Sequence, residues 1–233
     1  GAALARAARN AASIIRERLS QDIWQILGEL EHRLAMPLPT TPLPEAELID
    51  RAEGALHALS ALSGLIQENF NRVAGWSFLD IGRRVERGIS TCGLARMFAD
   101  RDATAENLDV MLDLIDSQIT YRSRYLVGVA LAPVRDMALL DPNNPRSVAF
   151  QVQRINEHLA GLPTLRHDGM LEAPQRIVRM LDAELSGAEA ARLDNTRIMS
   201  FEQNLMSLAA AIEARYFLQG SNAVRAETPK GLA

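Results

Sequence analysis

The chain has 233 residues, a net charge of -4 and a sequence pI near 5.6. No basic stripe is interleaved with aromatics, so the phosphate-neutralising footprint of a nucleic-acid binder is missing. Hydrophobic residues make up 48% and aromatics only 5%, which leaves Ala, Leu, Ile, Val and Met to build a core of closely packed helices rather than strands.

The expectation is therefore all-α: a single bundle of about seven or eight helices over 1–219, followed by a loose tail at 220–233. Ala2 to Ala35 reads as helical, with a restart at Ser20, where Ser-Gln-Asp-Ile has the form of an N-cap with an acid in the first turn. The helix opens without a cap in GAALARAARN, which suggests a chain that starts inside a larger polypeptide. The segment MPLPTTPLP at 36–44 is a Pro-rich linker, and Pro44 is placed to open the next helix, which runs to about Arg72. Gly75 opens a helix ending near Asp102, and Thr104 caps one that carries Arg122. Pro133 starts a short helix. Asn144 and Pro145 then supply the N-cap and first position of a helix reaching about Leu162. Further helices are expected over Leu171–Leu193 and Arg197–Gln219, the last capped by Asn195-Thr196.

The weakly polar runs 54–67 and 126–133 are too short, or too interrupted by His57, Ser60 and Ser63, for a membrane span of about 20 apolar residues. Cys92, the single cysteine, excludes a disulfide scaffold and falls on an apolar face, where it reads as a small buried hydrophobe. With no basic-then-apolar leader at the start, the expected compartment is the cytoplasm.

GWSFLDIGRRVERGISTCGLARM, residues 75–97, is the most informative stretch. With Val85 at the centre of a helical face at about 100° per residue, Phe78, Gly82, Ile89 and Cys92 form the core stripe. Glu86 then falls on its flank, while Asp80, Arg83, Arg84, Arg87 and Thr91 point the other way. A carboxylate so placed is half-buried or buried and must be paired or neutralised. Over 104–130 the apolar positions Leu108, Met111, Leu112, Ile115, Ile119, Leu126 and Val129 share one face with Arg122 in its middle. A guanidinium there calls for a carboxylate, and we expect Glu86 to meet Arg122 across a helix pair. The plain reading is an internal salt bridge that sets helix register. The sharper one is a ligand-facing site of Glu86, Arg122 and the neighbouring arginines.

The strings GWSFLDIGRRVERG, DSQITYRSRYL, LAPVRDMALLDPNNPRSVAFQV and EARYFLQG resemble the Alpha-E family, an all-helical bacterial family named for its Glu-Arg motif. The likeness covers nearly the whole chain. It is greatest to the helical module at the C-terminal end of long proteins that begin with a circularly permuted ATP-grasp region. The resemblance places the Glu-Arg pair on Glu86 and Arg87, a Tyr-Arg run on Tyr121 to Tyr125, and an Asp-Pro…Pro-Arg-Ser turn on Asp141, Pro142, Pro145, Arg146 and Ser147. Members usually carry an earlier helix with another Gly-Arg…Glu-Arg string, which this sequence lacks. The resemblance implies that this sequence lacks an N-terminal helix of the parent protein, and it puts in doubt whether a complete site is present.

The resemblance further implies association with ATP-grasp ligases and with peptide synthesis or protein tagging. The sequence has no phosphate-cradling Gly-rich loop and no alternating strand pattern, so ligation itself is not expected here. The leading expectation is an accessory module that docks on a circularly permuted ATP-grasp region, in the same polypeptide or as an operon partner. Alternatively, it presents a peptide or amino-acid acceptor or product to that ligase, with Arg83, Glu86, Arg87, Tyr121, Arg122, Arg124 and Arg146 as the binding residues and the arginines taking carboxylates or phosphates.

The alternatives are an autonomous enzyme with Glu86 as the candidate acid or base, and a structural or dimerising bundle; homo-oligomerisation stays open. No cofactor and no metal is expected. Glu29 to His32 is one Glu-x-x-His string where a di-metal bundle needs two, and His57, His158 and His167 have no ligand-like spacing and read as surface or interface residues. No Gly-x-Ser-x-Gly turn occurs. Pro145-Arg146-Ser147 could hold an anion at a helix start, the plainer reading being Arg146 reaching Asp141.

Overall fold

A computed structural model describes residues 1–36, 45–126, 128–166 and 168–217. Pro44 and the linker before it, His167 and the tail at 220–233 lie outside the described residues. The described residues hold ten α-helices and no strand, against the expected seven or eight. The chain divides into two compact units, Gly1–Trp76 and the part from Ser77 onward, where the sequence reading had a single bundle.

The first unit contains α1 (Ala2–Ile14), α2 (Gln21–Ala35) and α3 (Glu45–Asn69). Ser20 caps α2 as expected: its hydroxyl accepts from the Ile23 amide at 3.3 Å, with Asp22 in the first turn complementing the helix dipole. A small core forms from Ala12, Ile23, Leu27 and Ile66, with Leu19, Trp24, Leu62, Leu65 and Phe70 against it. The Trp24 ring also carries the guanidiniums of Arg9 and Arg16, 4.8 and 5.1 Å from its centroid.

The larger core belongs to the second unit. Its elements are α4 (Ala74–Phe98, beginning at the end of the first unit), α5 (Ala105–Leu114), α6 (Gln118–Arg124), α7 (Leu131–Arg135), α8 (Val148–Ala160), α9 (Ala173–Ser186) and α10 (Asn195–Tyr216). Phe201, Met111, Leu112, Met137, Leu139, Ile155, Leu181, Ile198 and Leu205 are fully buried in it, each contributing roughly 1.5–3 kcal/mol by transfer from water.

Three boundaries differ from the sequence reading. The expected helix from Thr104 through Arg122 breaks in two. Thr104 does cap α5, in a reciprocal pair with Asn107. But Asp116 then takes φ 51°, a left-handed conformation that Asp tolerates better than most residues, and α6 starts afresh, resetting the helical phase before Arg122. The cap of α8 is Ser147, accepting from the Phe150 amide at 3.0 Å, rather than Asn144. Asn144 is buried and donates to the Met137 carbonyl at 2.9 Å and to the Ser117 hydroxyl at 3.1 Å. Asp194, rather than Asn195-Thr196, caps α10, accepting from the Arg197 amide at 2.8 Å.

Helix α4 is rotated by roughly a quarter turn from the expected orientation, at about 100° per residue. Its buried residues are Asp80, Ile81, Val85, Gly88, Thr91, Cys92 and Ala95, a stripe centred near Gly88. The reason is close packing on α10: a Cβ at Gly88 would lie 2.8 Å from Cδ1 of the buried Leu205. At the end of α4 the buried Arg135 donates from Nε to the Ala99 carbonyl at 2.8 Å and from Nη1 to that of Leu193, tying this helix end to the turn before α10. Gly88→Val should cost about 1–3 kcal/mol by overpacking against Leu205, measured as a drop in the urea midpoint; an unchanged midpoint would mean the two helices are not in this contact.

Candidate functional site

Rotating α4 this way puts Asp80 inside and Glu86 outside. Asp80 is 3% exposed, although the sequence placed it on the solvent face. Its Oδ2 accepts from Nε of Arg84 at 2.6 Å and from Nε2 of His158, on α8, at 2.8 Å; Nη1 of Arg83 lies 3.7 Å from Oδ1. Arg84 also reaches Oε1 of the buried Gln151 at 3.3 Å, and the Gln151 amide donates to the Pro145 carbonyl at 2.7 Å. Burial alone would raise the Asp80 pKa, but the hydrogen bonds from Arg84 and His158 and their charges outweigh it and hold the carboxyl below its usual value. Sequence reasoning missed this cluster. Asp80 and Arg84 at i,i+4 are a readable pair, but His158 comes from an element far along the chain and reads from sequence as a surface or interface residue.

Glu86 is exposed, which corrects the expectation that it is buried. Among the described residues it makes no hydrogen bond or ion pair, so the expected contact with Arg122 does not form. Arg122 is also exposed and belongs elsewhere. The reset at Asp116 turns it away from the core and onto a cleft of about 400 Å³ with Asp109, Tyr121, Tyr125 and Val129.

The outward face of α4 lines a larger cleft of about 650 Å³. Leu79, Gly82, Arg83, Glu86, Arg87, Ser90 and Leu94 run along it, with Leu114 and Ile115 from the end of α5 and Arg146 from the turn before α8. Arg146 is held by Asp116, at 2.7 Å, rather than by Asp141. Arg87 is in a different position. No carboxylate pairs with it among the described residues, and partial desolvation, followed by the charges of Arg146, Arg83 and Arg84, pulls its pKa below that of an ordinary guanidinium. Such a cation gains from an added anion.

The structure thus gathers Arg83, Glu86, Arg87 and Arg146 around one cleft and separates them from Tyr121, Arg122 and Arg124. Tyr121 is buried with its hydroxyl accepting from the Ala130 amide at 3.1 Å, and its ring lies 4.8 Å from that of Tyr125. Arg124 pairs with the buried Asp141 at 2.6 Å, bracing the turn that leads to α8. Among the described residues no three His, Cys, Asp or Glu side chains are grouped to hold a metal ion, and no helix is long and apolar enough to cross a membrane. Cys92 is fully buried as expected, its thiol pushed up to about 12 by burial and then by the charge of Glu202.

A family model described as a predicted alpha-helical domain with a conserved ER motif matches residues 2–217. The chain belongs to the Alpha-E family. On the matching made from the sequence, the Glu-Arg motif of Alpha-E proteins falls here on the cleft-facing Glu86 and Arg87. Uncharacterized proteins of Mycobacterium tuberculosis and Mycobacterium bovis are 29% identical to this chain over 211 residues, 88% of its length. The chain spans about a quarter of those relatives, 24% of each. No solved structure matches this Alpha-E chain.

Two predictions follow from this geometry. Asp80→Asn should cost about 2–3 kcal/mol at neutral pH, somewhat less than the ~3–5 kcal/mol for breaking a fully buried pair, because Arg84 is 19% exposed. Since the folded pKa of Asp80 is depressed, its stabilisation is complete above the unfolded value of about 3.9 and is lost as the pH falls through the folded value. The gap between parent and variant in denaturant titrations should therefore close below about pH 4; a gap independent of pH would mean the charge of Asp80 is not what stabilises. Second, Cys92 should react with a thiol reagent only at the rate of unfolding, and fast labelling of the native protein would show that α4 is not packed as described.

Proposed function

We propose that this chain is an accessory helical module of an ATP-grasp-type amide or peptide ligase system. It docks on a circularly permuted ATP-grasp region, in the same polypeptide or as an operon partner, and holds the anionic acceptor or product. The observation that carries the reading is Arg87, a guanidinium in an open cleft with no carboxylate partner among the described residues and with three other guanidiniums around it. The ligase link is supported by the resemblance of GWSFLDIGRRVERG and the three later strings to helical modules fused to ATP-grasp regions. It is also in keeping with a sequence that carries no phosphate-cradling loop of its own.

The test is amide formation by a purified circularly permuted ATP-grasp region, with a carboxylate and an amine, measured with and without this chain. Product should form several-fold faster with the chain present, and Arg87→Ala should abolish the gain. An unchanged rate, with no complex on sedimentation, would refute the proposal.

A second reading keeps one specific observation in its favour: Glu86 opens onto the same cleft as Arg83 and Arg87, the arrangement an acid or base beside an anion-holding group requires. It predicts turnover by the chain alone that Glu86→Gln removes.

A further inference from the structure

The cleft on α4 is a groove rather than a pit, and its length and charge describe an occupant. From Leu79 to Leu94 it follows the helix over fifteen residue steps, roughly 22 Å at about 1.5 Å per step. That matches six or seven residues of extended chain at about 3.3 Å each and far exceeds a free amino acid. Of the four guanidiniums in and behind the groove, Arg83 and Arg84 face Asp80 and Arg146 is held by Asp116, which leaves the charge of Arg87 without a carboxylate partner among the described residues. A single carboxylate balances it. A phosphate group brings about -1.5 to -2, more than that one charge, and would be repelled by Glu86 more strongly than a carboxylate is. Alongside the charges lie apolar side chains that solvent reaches, Leu79 at 36% and Leu114 at 52% exposure, and the buried Ile115 just after α5 also lines the groove.

We infer that this groove binds an extended peptide bearing one carboxylate, with Arg87 taking the carboxylate between Arg83 and Arg146 and the Leu79, Leu114 and Ile115 wall taking an adjoining apolar side chain. Arg87 presents a planar fork of donors that pairs bidentately with a carboxylate. Arg146 is held in place by Asp116 and so adds charge at a fixed position. Glu86, on the rim with no partner of its own among the described residues, accepts from an amide or amine of the bound chain. The inference deepens the functional proposal by naming the ligand class, and it shares with that proposal the ligand-facing role of Arg87 but not the ligase.

The carboxylate has two sources, a chain terminus or an acidic side chain, and the experiment separates them. Fluorescence anisotropy with the full chain compares four labelled hexapeptides: an apolar one with a free C-terminus, the same peptide amidated, the amidated peptide with an internal Glu, and the amidated peptide with a phosphoserine. The free-terminus peptide, the Glu peptide or both should bind, with the amidated form weaker by about tenfold or more. Arg87→Ala should weaken binding by a similar factor, while Arg192→Ala, at an exposed pair with Glu189, should leave it unchanged. Because Arg87 is exposed, its replacement leaves the fold in place, and circular dichroism checks this. Equal binding of the amidated form, tighter binding of the phosphoserine peptide, or no binding at millimolar peptide would each overturn the inference. Peptide binding without any effect on the ligase would sustain it and remove the ligase role, and the reverse result would do the opposite.

Discussion

A carboxylate left with 3% of its surface exposed has to be compensated, and Asp80 is compensated from two helices at once, by Arg84 one turn along α4 and by His158 on α8. An unpaired charge in that position costs more than any single apolar contact on the helix can offset. With Asp80 held inward and Gly88 pressed against Leu205, the rotation of α4 about its axis is set at the start of the buried stripe and at its centre. The Glu86 face then has nowhere to go but outward. The cleft is thus a consequence of how the helix is packed.

The cleft's charge balance depends on a second local feature. The break between α5 and α6 places Asp116 in a left-handed turn, where it engages Arg146. Asn144 secures the same region from below by bonding Ser117 and the Met137 carbonyl. Arg83 and Arg84 are drawn to Asp80 and Arg146 to Asp116, so three of the four guanidiniums are held by carboxylates. Arg87 is left with like charges as neighbours. Repulsion of this kind is a cost in the free protein that an anionic ligand would convert into affinity.

Helices, the caps of α2 and α5 and the apolar core were readable in the sequence, because each depends on neighbours three or four positions away, whereas Ser147 and Asp194 were passed over for nearby residues. Ser20 and Thr104 were found for that reason, and so was the burial of Cys92. The orientation of α4 was not. Its periodicity was weighed by apolar residues alone, so Gly88 counted for nothing and Asp80 counted against burial. In the folded chain the first is where α10 approaches and the second is bonded by Arg84 and by a histidine 78 positions away. The Arg122 face failed for another reason, a phase carried straight through Asp116, whose backbone no local pattern announced. Glu86 stood out in the sequence as a carboxylate on the edge of an apolar stripe yet is exposed, and Arg87, read as an outward neighbour, is the one left without a carboxylate partner among the described residues.

The central claim is the rotation of α4, and cysteine scanning in a Cys92→Ala background tests it most directly. Single cysteines at Leu79, Arg83, Glu86, Arg87 and Ser90 should react with a hydrophilic thiol reagent at rates near that of a free thiol. Cysteines at Ile81, Val85 and Thr91 should be protected to the level of global unfolding. Protection at Glu86 and Arg87 with fast labelling at Ile81 or Thr91 would contradict the rotation, and the cleft with it.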